Sequence, residues 1–304
     1  MTNLSIETSN VRPTRKLSLA KPYADYRFRA VIDWISLRIV TQQPSNFDTV
    51  RTRMGIPYAQ ATDEGPGKAA TEFTIRIQEP TSWGSIDKTL EKFTHDHPLA
   101  APVEVTGIEI ALDAYSRTHD RDELVDMVAR FYKFSTTIVS VNRRTSGEGK
   151  YSSQGITSYP ALRERLRKGF NIYIGNNTDP VKQHMYVKET THSNNATVSL
   201  KAVERRARTE ITLIDQALPH FSLSDWQNHD FTEEADFFKY RKLKERLRPY
   251  CNPAVLLIDQ IGEKRIRRRE CGGTRLYSIN TLADTALNDL TYSALRELTR
   301  RMNA

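Results

Sequence analysis

Between Tyr26 and Ile214 the chain switches repeatedly between two periods. Stretches in which every second residue is apolar predict half-buried strands, and stretches with apolar residues at i, i+3, i+4 and i+7 predict amphipathic helices. The first predicted strand spans Ala30 to Ile39, with Asp33, Ile35, Leu37 and Ile39 on one face and Trp34, Ser36 and Arg38 on the other. Phe73, Ile75 and Ile77 mark a second strand, a short helix follows near Ser85 to Phe93, and Val103 to Leu112 is a third strand. From Arg121 a helix carries Leu124, Met127, Val128 and Phe131, and Thr136 to Val141 is read as another strand. Three more strands follow at Phe170–Gly175, Gln183–Lys188 and Ala207–Ile214. Beyond residue 217 the pattern turns helical, with one helix over Phe231–Arg248, stopped by Pro249, and a last one over Leu282–Arg300.

This order predicts an α/β fold of the α+β type, with a central, mainly antiparallel sheet flanked by helices and a helical C-terminal region. Residues 1–24 are polar, contain Pro13 and Pro22, and read as a flexible basic arm. Residues 25–217 form the α/β domain, and residues 218–304 form the helical region, assigned to DNA contact or self-association as a homodimer. The polar loop Asn142 to Ser158 is long enough to contact a ligand.

Charge narrows the partners. Forty-five Lys and Arg against 37 Asp and Glu leave a formal net charge of +8, which favours a polyanion and nucleic acid first. No apolar run approaches the ~18–20 residues of a membrane span, and the first residues lack the apolar core of a secretory signal, so a cytoplasmic site without membrane contact is expected. Cys251 and Cys271 are the only cysteines, too few for a disulfide scaffold or a four-cysteine zinc site.

Two familiar motifs fail. Arg144 to Tyr151 lacks the first glycine of a P-loop and the hydroxyl after its lysine. His95-Asp96-His97 has the spacing of a metal-binding pair but sits between a helix and Pro98, and reads as a solvated helix end.

The informative residues lie on three strands. Ile108, Ile110 and Leu112 face one way and leave Glu109, Ala111 and Asp113 opposite; Met185 and Val187 leave His184, Tyr186 and Lys188; Ile211 and Leu213 leave Arg208 and Glu210. If these faces coincide, they bring together carboxylates and an imidazole for a divalent ion, cations for phosphoryl charge, and a hydroxyl nucleophile. Glu109 and Asp113 are four residues apart, about 13 Å along a regular strand, so Glu109 is favoured over Asp113 as a ligand. Each residue also has a structural explanation, such as a cross-strand ion pair or half-buried packing.

At these positions the chain resembles the replication initiation factor family: Rep proteins of staphylococcal-type rolling-circle plasmids, replication proteins of filamentous phages, and relaxases of integrative conjugative elements. Ile32-Asp33-Trp34 resembles the family's opening strand, and Thr106-Gly-Ile-Glu-Ile-Ala-Leu-Asp113 its Arg-x-Asp-x-Ala-x-Asp strand. Ile172-Tyr-Ile-Gly175 with Tyr186-Val-Lys188 resembles the Tyr-x-Gly-Ser…Arg-x-Tyr-Asp-Lys block, and Arg208-Thr-Glu210 the Arg-x-Glu strand. Coverage is roughly residues 30–215. Glu109, His184, Val187 and Asn176 depart from the family's usual Asp, Arg, Asp and Ser.

The resemblance implies a rolling-circle replication initiator that nicks single-stranded or extruded origin DNA and works with host helicase and polymerase. Tyr186 would be the nucleophile, giving a 5′-phosphotyrosine and a free 3′-hydroxyl. Glu109 and Glu210 would hold Mg²⁺ or Mn²⁺, with His184 as a third ligand drawn from the strand face. Lys188 and Arg208 would stabilise phosphate charge and lower the tyrosine's pKa. Tyr173 is the alternative nucleophile. Lys242 and Arg246, in the basic segment Lys239–Arg248, and Arg267 and Arg268, in Lys264–Arg269, are candidate phosphate contacts. A conjugative relaxase shares this chemistry, and a non-catalytic DNA-binding regulator shares the fold and charge.

Overall fold

A computed structural model describes residues 23–63, 65, 68–136, 143–147, 150–152, 159–193, 196–243 and 281–304. In chain order its strands are β1 (Tyr26–Ser45), β2 (Tyr58–Ala61), β3 (Ala70–Gln78), β4 (Glu104–Ser116), β5 (Arg143–Gly147), β6 (Lys150–Ser152) and β7 (Asn171–Ile174). Then come β8 (Val181–Lys188), β9 (Thr190–Ser193), β10 (Ala196–Ser199), β11 (Arg206–Ile214), β12 (Arg241–Leu243) and β13 (Thr281–Ala283). The helices are α1 (Phe47–Met54), α2 (Trp83–Thr94), α3 (Arg121–Phe134), α4 (Tyr159–Arg167), α5 (Leu223–Trp226) and α6 (Thr285–Met302).

Nine strands form one sheet in the order β2-β3-β1-β4-β11-β8-β7-β5-β6, and every neighbouring pair is antiparallel. The expected mixed α/β architecture with a mainly antiparallel sheet is thus observed. β4 and β11 are central, so their alternate residues are buried on both faces: Ile110, Leu112, Ile211 and Leu213 on one, Asp113, Arg208 and Glu210 on the other. The apolar rows continue into α3, whose Leu124, Val128 and Phe131 are fully buried and which packs on β4, β8 and β11. α3 begins where the Asp120 carboxylate accepts a hydrogen bond from the Asp122 amide. α6 lies on β1 and buries Leu287, Leu295 and Leu298 in the same core.

Two expectations need correction. The apolar set of β1 does not hold one phase: Ala30 and Ile32 are buried, then Ile35, Leu37 and Ile39. A bulge separates them, since Ile32 pairs with Ile110 while Trp34 pairs with Glu109, leaving Asp33 as the extra residue. Asp33 therefore leaves the face of Ile35 and joins that of Glu109.

The helix expected over Phe231–Arg248 is also absent as such. A 3-10 helix over Phe231–Phe238 ends at Lys239, and β12 follows. Tertiary partners override the local pattern there: the Tyr240 amide donates to Asn288 Oδ1 of α6 at 2.8 Å, and its ring is buried 5.2 Å from that of Phe131. Within the expected polar loop, Arg143–Gly147 and Lys150–Ser152 are the strands β5 and β6; the rest of that loop, residues 137–141 of the expected strand, the N-terminal arm up to residue 22, both cysteines, and Arg246, Arg267 and Arg268 lie outside the described residues.

Candidate active site

The bulge at Asp33 and the register of three central strands create the site. β11 pairs with β4 so that Thr212 faces Glu109 and Arg208 faces Asp113; it pairs with β8 so that Glu210 faces His184 and Arg208 faces Tyr186. The side chains on the face opposite α3 thereby converge.

Asp33, Glu109 and Glu210 each place a carboxylate oxygen within 4.8 Å of the other two, a group able to hold a metal ion. Three hard oxygen donors suit Mg²⁺ or Mn²⁺ rather than a soft, thiolate-seeking metal. Asp33 was missed as a ligand in the sequence. The signal was present, in the change of apolar phase from Ile32 to Ile35 around an Asp-Trp pair.

Glu210 organises the site. It is 3% exposed. Its Oε1 accepts the Tyr186 hydroxyl at 2.8 Å, and its Oε2 lies 2.9 Å from His184 Nδ1. The His184 ring is sandwiched between Tyr173, at 4.2 Å and 8°, and Tyr186, at 4.3 Å and 22°. This stack aims the imidazole edge at Glu210, beside the Asp33–Glu109–Glu210 group.

Arg208 is 1% exposed, with every guanidinium nitrogen on a carboxylate. Nε and Nη2 donate to Asp113 at 2.6 and 2.8 Å, while Nη1 donates to Asp33 and, at 3.3 Å, to Glu210. Asp113 is thereby held by the guanidinium fork, away from the triad. Lys188 Nζ lies 3.5 Å from Asp33 and 3.8 Å from Glu79.

The electrostatics differ from the sequence expectation at Tyr186. Burial pushes its phenol well above the usual range, the negative charge of Glu210 adds to this, and the opposing pull of Arg208 is outweighed. Lys188 and Arg208 therefore do not give a depressed phenol in the metal-free protein. Burial also works to raise Glu210, but the hydrogen bond and charge of His184 and the charge of Arg208 outweigh it and hold this carboxyl at about 2. Glu109 is pushed from its ordinary 4.5 to about 7, first by burial and then by the charge of Glu210, although Thr212 donates to it at 2.5 Å.

A carboxyl raised in the folded state binds its proton more tightly there than in the unfolded chain. The metal-free protein is thus expected to lose stability as pH rises from about 4.5 to about 7, and to level off above. An entering cation must displace that proton, so the Mn²⁺ dissociation constant is expected to fall about tenfold per pH unit up to about 7 and then flatten. Calorimetric titration with Mn²⁺ across this range checks it: Glu109→Gln should remove the slope, and a pH-independent affinity in the unaltered protein would mean that Glu109 is already ionised.

The remaining candidates lie elsewhere. Lys242 is half-buried in β12, opposite Leu282 of β13. His97 stacks on Phe93 at 4.4 Å and Asp96 pairs with Arg53, as befits the end of α2.

No protein-family model matches the chain, and no curated protein matches it. Among solved structures, a rolling circle replication initiator protein from Geobacillus stearothermophilus is similar over 62% of this chain and 76% of its own, at 12% identity and a TM-score of 0.30. An aspartate kinase from Synechocystis is similar over 90% of this chain and 56% of its own, at 8% identity and a TM-score of 0.18. At such scores the side chains, not either likeness, bear the functional reading.

Proposed function

We propose that the chain is a metal-dependent DNA-nicking enzyme and strand transferase of the kind that initiates rolling-circle replication, with Tyr186 as nucleophile. One observation carries this: the Tyr186 hydroxyl donates to Glu210, a carboxylate that also belongs to the Asp33–Glu109–Glu210 group. A phenol on a carboxylate triad has the parts needed for phosphoryl transfer to tyrosine: an oriented nucleophile beside a hard-cation site.

Bound Mg²⁺ or Mn²⁺ would supply Lewis-acid stabilisation of phosphoryl charge and offset the charge of Glu210, which adds to burial in keeping the phenol protonated. The chain's own residues do the rest. Glu210 fixes the phenol through its hydrogen bond, and His184 fixes Glu210 from its other oxygen. Arg208 is a positioning residue that spaces Asp33 and Glu210, since its nitrogens are already committed to carboxylates. Lys188, beside Asp33, supplies positive charge near the scissile phosphate. As the Tyr186 oxygen bonds to phosphorus it gives up its proton; the bond to the 3′-oxygen breaks, leaving a 5′-phosphotyrosine and a protonated 3′-hydroxyl from which a polymerase extends. Origin DNA, single-stranded or extruded, is the substrate, and host helicase and polymerase are the partners.

The test is incubation with Mn²⁺ and single-stranded oligonucleotides tiled across the genetic element that encodes the chain. A denaturation-resistant protein–DNA adduct, abolished by a chelator, is the expected result. Tight binding without an adduct on any tile would overturn the enzyme reading in favour of a non-catalytic regulator.

A further inference from the structure

Beyond Arg208 on the same sheet face, Arg29, Asp113, Tyr115, Arg206, Arg208 and Arg301 line a cavity of about 540 Å³. Arg206, Arg208 and Glu210 alternate onto one side of β11, so Arg206 lies on the order of 13 Å from the carboxylate triad along the strand. Arg208 joins the two places, because the guanidinium that holds Asp113 in the cavity also holds Asp33 and Glu210 in the triad.

Four arginines, Arg29, Arg206, Arg208 and Arg301, meet two side-chain carboxylates, Asp113 and Glu79, in the lining, and Glu79 also lies 3.8 Å from Lys188 Nζ. Asp113 is taken by Arg208 and lies 3.2 Å from Arg206 Nε. Arg29 pairs with Asp113 only in backbone register; its side chain is exposed and has no carboxylate at ion-pair distance among the described residues. Arg301, from the last turn of α6, donates from Nη2 to the Ala30 carbonyl, has no carboxylate partner among the described residues, and keeps a buried Nε without a hydrogen bond. Burial, and then the neighbouring charge of Arg29, lower its pKa. Two like charges held close favour an anion between them. The ring of Tyr115 has Arg27 at 4.6 Å and Arg206 at 5.7 Å from its centroid, which holds Arg206 at the cavity wall.

We propose that this cavity binds a backbone phosphate of the same DNA strand that enters the carboxylate site, with Arg29, Arg206 and Arg301 as its donors. The inference rests on the nicking reading for the identity of the strand. Guanidinium forks match phosphate oxygens in pairs, and Arg208 of the cavity lining shares a sheet face with Tyr186, its partner in register. A phosphate anchored there fixes which internucleotide bond lies at the phenol. It also makes the C-terminal helix part of the DNA-binding surface through Arg301.

The test is binding of a fluorescent oligothymidylate, longer than the roughly 16-nucleotide upper site size of a single-strand-binding module. It is done without metal in a Tyr186→Phe background, so that nicking does not enter the readout. Arg29→Ala and Arg301→Ala are each expected to weaken binding about tenfold. Each should also reduce the slope of log affinity against log salt by about 0.7. Arg296→Ala, on an exposed part of α6 outside the cavity, should do neither. Unchanged affinity and slope in both cavity variants would overturn the proposal, as would an equal loss in Arg296→Ala. Because Arg29 is exposed, its variant decides the matter even if Arg301→Ala fails to fold. Losses confined to the cavity variants in a protein that forms no adduct would keep the phosphate site and remove the nicking reading. Unchanged cavity variants of an adduct-forming protein would remove the phosphate site alone.

Discussion

Tyr186→Phe is expected to reduce the covalent protein–DNA adduct below detection while leaving DNA affinity within a few-fold of the unaltered protein. The phenylalanine ring keeps the stack on His184. What it loses is the oxygen that would bond to phosphorus, and no other group can replace a covalent nucleophile at the same point. Glu210 keeps His184 and Arg208 as partners, so the triad and its cation affinity should persist. The comparison variant is Tyr173→Phe. Tyr173 lies on the far side of His184 from Tyr186, one ring further from Glu210. If the adduct survives Tyr186→Phe and disappears in Tyr173→Phe, the outer ring is the nucleophile. Denaturing gel electrophoresis of both variants with one labelled oligonucleotide distinguishes the outcomes.

The alternation of apolar residues made much of this arrangement legible. On β4, β8 and β11 the period of two separates core from site side chains without ambiguity, so Glu109, His184, Tyr186, Arg208 and Glu210 can be placed on their faces from sequence. Register is a different matter. That Glu210 lies opposite His184, and Thr212 opposite Glu109, follows from how three strands slide against one another, and a single strand's pattern carries no record of its neighbours.

Asp33 illustrates the same limit within one strand. A fixed period assigns it to the core face of Ile35, whereas the bulge lets two consecutive residues, Asp33 and Trp34, turn toward Glu109. The break at Lys239 has a third origin. Phe231 to Tyr240 has helical spacing of its large residues, but Asn288 of α6, 48 positions away, takes the Tyr240 amide and draws the chain into the core. The arginine cavity was unreadable for similar reasons, since Arg29, Arg206 and Arg301 come from β1, β11 and the end of α6.

Arg208→Met is expected to cost about 3–5 kcal/mol of folding stability, the largest loss predicted for any single substitution in the site. The reason is what remains behind. Asp113 is 1% exposed and takes two hydrogen bonds from this guanidinium; without them its charge is left with Arg206 at 3.2 Å. Asp33 and Glu210 lose a shared cation at the same time, and the repulsion within the triad grows. Against a typical total of about 5–15 kcal/mol, such a loss is a large fraction of the whole. Arg208→Lys should recover little, because an ammonium cannot occupy both oxygens of Asp113 while reaching Asp33 and Glu210. Urea denaturation provides the measurement, and Arg208→Met combined with Asp113→Asn supplies the control. Removing the stranded charge should return part of the loss, so the double variant should be less destabilised than the sum of the singles by well over ~1 kcal/mol. A strictly additive pair would mean that Arg208 and Asp113 do not neutralise one another, and that Arg208 is held in place chiefly for Asp33 and Glu210.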